Sequence, residues 1–289
     1  MRAARTDKGV SAVGNIVNAK LEIPAAGEGL AAMTASINAQ LPADVRVFDT
    51  IKVAGGFHAK DDCTKRKYTY LLPTYLLAPA EAHAAAFEAA GVGAEALAEL
   101  RAALVAAGDR AAGGAGGPSW QLPPSALAKA HAALASFRVA PAQLAALRAS
   151  LGAFVGTKNF WNFTSKLKHS DASAKRYILS FECGTPFVSD AGLEWLSVSV
   201  VGQSFLLHQI RKMVATTVEV ARGALPAGVF TDPAGGVFSA TPHHLPIAPG
   251  DGLFLERPYF EVYNTKFGRG EGRRPLAYKL SGSGDHENL

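Results

Sequence analysis

Alternating apolar and polar positions mark the first element. Val13, Val17, Ala19, Leu21 and Ile23 share one parity, with Asn18, Lys20 and Glu22 on the other, which predicts a half-buried strand over residues 11–23. Pro24 and Gly27 end it. Leu30, Met33 and Ile37 then recur at helical spacing over residues 28–40, and Leu41-Pro42 stops that helix. Val45, Val47, Asp49, Ile51 and Val53 share a parity again and predict a second strand. A third, Tyr68 to Pro73, is rich in aromatic β-formers.

Beyond residue 140 the pattern sharpens. Pro141 suits a first helical turn, and Leu144, Leu147, Leu151 and Phe154 form one helix face. Residues 175–183 alternate, with Tyr177, Leu179, Phe181 and Cys183 together, and residues 194–201 alternate again. After a Gly202-Gln203 break a helix is expected from about Ser204, its N-cap, to Arg222, with Gly223 as its stop. Leu206, Ile210, Met213, Val214 and Thr217 would be its buried stripe, with His208 and Arg211 together on another face. More β-forming residues follow from Phe254 to Tyr263. Short strands, polar on one side and separated by turns, favour an α+β fold: an antiparallel or mixed sheet with helices on one face.

The middle of the chain differs. Residues 81–150 hold 27 alanines in 70 positions, and Gly113-Gly114-Ala115-Gly116-Gly117-Pro118 is linker-like, so this stretch reads as an insertion without chemistry. The end is basic, with Lys266, Arg269, Arg273, Arg274 and Lys279 against Glu271.

Composition then removes several classes. Of 289 residues, 48% are hydrophobic and 18% charged, so a packed core is affordable. Cys63 and Cys183 are too few for a disulfide scaffold or a four-cysteine zinc site, and read as free thiols in a reducing compartment. No run of eighteen uncharged apolar residues predicts a membrane span, and the first residues lack the apolar core of a signal peptide. The net charge of +5 permits a polyanionic partner without demanding one. No dinucleotide loop, Walker loop, nucleophile elbow or His-Glu-x-x-His occurs, and neither His58 with Cys63 nor His243-His244 has zinc spacing, so no metal is expected.

Four clusters remain. Arg5-Thr6-Asp7-Lys8-Gly9-Val10-Ser11-Ala12 leads into a strand, and alone its Asp-Lys-Gly reads as a turn. Lys65-Arg66-Lys67-Tyr68-Thr69-Tyr70 places cations before aromatics, as a solvated edge strand would, or as phosphate contacts beside a base-stacking ring. Lys158-Asn159-Phe160-Trp161-Asn162-Phe163-Thr164-Ser165, with Lys166, Lys168, His169, Lys175 and Arg176 beyond, suits nucleic acid, although Phe160 and Phe163 fit a hydrophobic staple equally. Gln203 to Met213 is an amphipathic core helix on which Arg211 stands off the apolar stripe.

Taken in order, these clusters resemble the TruA-type tRNA pseudouridine synthases, most closely their eukaryotic branch. The resemblance rests on Arg5 to Ala12, Arg66-Lys67-Tyr68, Asn162-Phe163-Thr164-Ser165, Gln203 to Met213, and Leu245-Pro246-x-Ala248-Pro249 with Gly252-Leu253 and Tyr263-Asn264. It implies two ferredoxin-like halves with joined sheets, helices on one face and a catalytic cleft between. Residues 1–80 would be the N-terminal catalytic half, 81–140 an Ala/Gly-rich insertion or linker, 141–265 the C-terminal catalytic half, and 266–289 a basic, flexible tail. It implies isomerisation of uridine to pseudouridine without a cofactor. Asp7 would act at C1′ of a flipped uridine, as a nucleophile or in removing a sugar proton; Tyr68 would stack on the base; Arg211 would pair with Asp7. Arg5, Lys8, Lys65, Arg66, Lys158, Phe163, Lys166, Lys168 and His208 would contact the RNA. The implied partner is tRNA or another structured RNA, messenger RNA included, with no membrane and no required protein partner. The implied location is intracellular, in nucleus, cytoplasm or mitochondrion. In the family a strand and a helix precede the catalytic loop, so the chain is expected to be N-terminally truncated. The alternative reading is a catalytically impaired, truncated RNA-binding homologue.

Overall fold

The computed structural model describes residues 1–22, 29–91, 134–268 and 275–276, with 93, 95, 98, 128, 129 and 132 between. Gly113 to Pro118, Ile23 to Gly27 and the cations Arg269, Arg273, Arg274 and Lys279 lie outside the described residues. The labelled elements are β1 (Ser11–Ala12), α1 (Gly29–Gln40), β2 (Lys65–Pro73), α2 (Ala80–Ala89), α3 (Pro141–Gly152), β3 (Gly156–Asn159), β4 (Lys175–Cys183), β5 (Phe187–Val188), β6 (Glu194–Gly202), α4 (Gln209–Ala221), β7 (Leu253–Tyr259) and α5 (Glu261–Phe267). The α+β class is therefore observed. The chain divides into two units, one of Met1–Arg5, Ala12–Arg66 and Leu255–Leu289, the other of Thr6–Ser11 and Lys67–Phe254.

In the first unit, Ala3, Phe57, Ala59, Cys63, Phe260, Tyr263 and Leu276 form a small core, with Ile16, Ile51 and Val53 packed against it. Two expected strands are mostly absent here. Of residues 11–22 only Ser11–Ala12 are strand, with one isolated bridge from Arg2 to Val17. Asn15 takes the backbone out of the ladder, because its Nδ2 donates to the Ala4 carbonyl (3.0 Å) and its Oδ1 accepts from the Ile16 N–H (2.9 Å). The expected inward parity is not observed either. Val13, Val17 and Leu21 are exposed, while Asn18 turns inward to bond Phe57 O and the Ala59 N–H. Residues 45–53 form no strand. Asn38 of α1 bonds both the N–H and the carbonyl of Val47 (2.7 and 2.8 Å), and the Thr34 and Thr50 hydroxyls meet at 2.7 Å, so helix side chains satisfy this segment. Phe48 is left 75% exposed.

The second unit follows its pattern closely. Its strands run β2-β6-β4-β3, with β5 also on β6. The pairs β3–β4, β4–β6 and β5–β6 are antiparallel. Leu196, Val198 and Val200 alternate inward along β6 as expected. On β4 a register shift between Ile178 and Ser180 switches faces. Ile178 and Phe181 are buried, and Tyr177 and Leu179, expected beside Phe181, are exposed. α3 packs on β4 and on α4, burying Leu147, Leu151, Met213 and Val214. Phe154 ends α3 in a knot of rings, with Phe163, Phe230, Phe181 and Phe238 centred 5.1 to 5.8 Å away. α4 begins at Gln209, later than the expected Ser204 cap, and stops before Gly223, whose φ of 80° terminates it as expected. Residues 203–206 are irregular and 207–208 form a turn, and His208 at φ 62° lies outside the helical region, so helix begins only at Gln209.

Truncating the centre of the ring knot should be among the most damaging core changes. Phe154→Ala should destabilise the protein by about 3–5 kcal/mol, read as a lower midpoint in urea unfolding at an unchanged slope.

Candidate active site

The second unit holds Asp7, Tyr68, His208 and Arg211, from three separate places in the sequence. Asp7 sits on a tight turn whose carbonyl accepts the Val10 N–H at 3.0 Å. Gly9 closes that turn at φ 81°, a left-handed conformation suited to glycine. Gly250 lies directly against it. A Cβ on Gly250 would stand 3.2 Å from both the Gly9 carbonyl carbon and the Lys8 oxygen, so the two backbones meet without room for a side chain.

The segment beneath the turn is anchored from two directions. The Tyr70 hydroxyl donates to Pro249 O (3.1 Å), and Leu71 N–H donates to Gly252 O (2.8 Å). Gly252 crosses the Tyr70 ring so closely that a Cβ would be 2.8 Å from it. From the other side Arg211 Nε donates to Ala248 O (2.6 Å), and the Ala248 N–H returns to Arg211 O (3.2 Å). Burial pushes the Tyr70 hydroxyl up to about 12; Arg211 opposes the shift and Asp251 adds to it.

Above this support the Asp7 carboxylate is 33% exposed and its Oδ2 lies 3.8 Å from His208 Nε2, whose side chain is 15% exposed. His208 holds φ 62° at the start of α4, the one non-glycine residue with positive φ among the described residues. Such a conformation costs about 1–3 kcal/mol and persists only where its surroundings fix it. Here the Gln209 Oε1 accepts the Leu206 N–H (2.8 Å), and His208 O accepts the Lys212 N–H (3.0 Å). Burial lowers the His208 pKa most; Asp7 acts against that, and Arg211 and Lys212 reinforce it. Tyr68 is buried, its ring edge-on to Phe205 at 5.3 Å and 82°.

The other predicted contacts separate into two groups. Lys8, Lys166 and Lys168 in the second unit and Arg5 in the first are exposed cations. The remaining ones are engaged. Phe163 is 0% exposed inside the ring knot, so it is a core residue and cannot present a face to a base. Arg66 directs its guanidinium to backbone carbonyls of Ala3, Lys60 and Cys63, which ties the first unit together. Lys65 pairs with Glu261 (2.6 Å) and lies over the Tyr259 ring. Lys158 covers the Phe238 ring. The expected Arg211–Asp7 ion pair is not formed: Arg211 is turned onto Ala248, and His208 is the group within 4 Å of the carboxylate. Among the described residues no three His, Cys, Asp or Glu side chains converge on a metal-sized site, and no helix is long and apolar enough to cross a membrane.

Two residues, one on α4 and one packed against it, escaped the sequence reading. Asn162 donates to Val237 O and Thr241 O and accepts the His243 N–H, holding residues 237–243 in place. Its own carbonyl accepts from Lys212 Nζ (3.1 Å), whose pKa burial lowers. Lys212 adjoins Arg211 off the apolar stripe, and that position was its available signal.

Comparison with known proteins identifies relatives of this chain. Residues 151–261 match a family described as tRNA pseudouridine synthase. Pseudouridylate synthase 1 homolog of Homo sapiens is 34% identical over 275 residues, covering 95% of this chain and 51% of that protein. For tRNA pseudouridine synthase 1 of Saccharomyces cerevisiae the figures are 32% identity, 92% and 53%. For the tRNA pseudouridine(27/28) synthase of the same yeast they are 33% identity over 282 residues, 92% of this chain and 72% of that protein. The chain thus spans about half the length of the first two relatives.

The buried Tyr70 hydroxyl gives the second unit a defined alkaline limit. Its folded pKa is raised, so the stability it contributes is complete below the ordinary value of 10.0 and is lost as pH rises towards about 12. Tyr70→Phe should remove that component, so the slope of unfolding free energy against pH above 10.0 becomes shallower than in the parent.

Proposed function

The chain belongs to the TruA-type pseudouridine synthase family, and from that premise we propose that it isomerises uridine to pseudouridine in RNA, with tRNA as the substrate class. The observation that carries this reading is the part-exposed Asp7 carboxylate, set on a turn whose Gly9 lies close against Gly250.

Isomerisation exchanges one bond for another on the same sugar. The C1′–N1 bond of an everted uridine breaks, the uracil turns within the site, and C5 bonds to C1′; the C5 proton leaves and N1 gains one. Asp7 acts at the sugar, where a fixed carboxylate can attack C1′ or take a sugar proton. Eversion is required because neither C1′ nor C5 is reachable in a stacked strand. Tyr68, held edge-on by Phe205, forms the wall against which the uracil turns. Arg211 fixes the support through Nε, and its Nη groups make no hydrogen bond among the described residues, which leaves them for the RNA. Lys8, Lys166 and Lys168 supply exposed positive charge for phosphates, in keeping with the net charge of +5.

The decisive assay is tritium release from 5-tritiated uridine in unmodified tRNA. The parent chain should release tritium, and Asp7→Asn should reduce release to background while binding tRNA normally. Equal release by parent and variant would refute the role given to Asp7. Replacing one surface cation, Lys168→Ala, should weaken tRNA binding and lower the slope of log affinity against log salt by about 1. An unchanged slope would place Lys168 outside the interface.

A further inference from the structure

We propose that His208 is the positioning residue of Asp7: its neutral imidazole offers an Nε2–H to the carboxylate and fixes which oxygen meets the ribose. The inference rests on the isomerase reading of this site, and assigns His208 an action through Asp7 in place of a contact with RNA.

The geometry is specific. His208 Nε2 stands 3.8 Å from Asp7 Oδ2, one small side-chain movement from a hydrogen bond. The backbone that carries the ring is pinned. His208 holds φ 62°, the Gln209 side chain accepts the Leu206 N–H just before it, and the Lys212 N–H takes the His208 carbonyl. A residue kept in a left-handed conformation at a site, where glycine would sit without strain, is held for its side chain. Arg211, the expected partner of the carboxylate, is committed to Ala248 O, which leaves orientation of Asp7 to the imidazole.

Electrostatics decide the form of that imidazole. The charged groups facing it are Asp7 from the loop before β1 and Arg211 and Lys212 from α4. Burial and the two cations outweigh Asp7, so His208 stays neutral to lower pH than an ordinary histidine. Neutrality suits the task. A neutral N–H orients a carboxylate and leaves its negative charge for the sugar. A protonated ring would hold the carboxylate in an ion pair and compete with the ribose. Activity should therefore rise with pH as His208 loses its proton and be lost as pH falls through its lowered pKa.

Single-turnover tritium release against pH, with the full chain and tRNA, tests this. The parent should show an acid limb below the ordinary histidine range. His208→Ala should lower the rate roughly tenfold to a hundredfold with unchanged tRNA affinity. His208→Gln, which keeps an N–H at the same reach and cannot titrate, should recover much of that loss and abolish the limb. An unchanged rate in His208→Ala, or the same acid limb in His208→Gln, would overturn the proposal. A second measurement does not depend on catalysis: NMR titration of the His208 ring in the parent and in Asp7→Asn. Removing the carboxylate should lower the His208 pKa further, and identical titrations would overturn the contact. If the parent released no tritium, the isomerase reading would fall, and this pair of titrations would still uphold or overturn the positioning of Asp7 by His208.

Discussion

The contact between Gly9 and Gly250 is the constraint on which the candidate site depends. Two backbones meet so closely that a β-carbon on Gly250 would stand 3.2 Å from the Lys8 oxygen and the Gly9 carbonyl carbon. Gly9 supplies the positive φ that the turn needs, and Gly250 supplies the clearance. The segment from Ala248 to Gly252 is in turn fixed by a tyrosine hydroxyl, a guanidinium and a glycine pressed on an aromatic ring. The backbone that carries Asp7 is thus placed by groups that never touch its carboxylate. A carboxylate on a mobile loop would sample many orientations, and each lost degree of precision would slow attack on a single carbon.

The aromatic clusters divide labour in a way that composition does not reveal. Phe154, Phe160, Phe163, Phe181, Phe230 and Phe238 interlock with edge-to-face, tilted and stacked geometry. Such rings bury large area and hold fixed angles, so they form a rigid base beneath α4. Asn162, in the midst of them, satisfies three backbone groups of the segment from Val237 to His243. A stretch with cations and aromatics side by side can therefore be nucleic-acid surface at its lysines and protein core at its phenylalanines. Lys166 and Lys168 are exposed and Phe163 is sealed, although they lie within six positions of one another.

Cations follow the same division. Arg66 bonds three carbonyls, Lys65 an acid and a ring, Lys212 a single carbonyl. Guanidinium groups serve well as carbonyl clamps, because several donors diverge from one plane. Their charge still acts at a distance, and Arg211 and Lys212 bias His208 towards its neutral form without a side-chain hydrogen bond to its ring. The site's electrostatics come largely from side chains whose bonds are structural.

Much was legible in the sequence where period and burial coincide. The alternation of β6, the helix opened by Pro141, the stop at Gly223 and the candidate aspartate turn were all readable, because each depends on neighbours within a few residues. The family resemblance was carried by motifs in order. What stayed hidden depended on partners far along the chain. The parity of residues 11–22 was set by Asn15 and Asn18 bonding elsewhere, and the face of β4 by one register shift. The late start of α4 was set by the left-handed backbone at His208, and the choice of His208 over Arg211 beside Asp7 by the pull of Ala248 on the guanidinium. The sequence by itself determined which chemical groups are present and their local elements, since propensity and period act over short range. Only the tertiary structure decided which of those groups are buried, which face the carboxylate and which are already bonded, because those outcomes depend on contacts between residues far apart in the chain, such as His208 with Asp7 and Gly250 with Gly9.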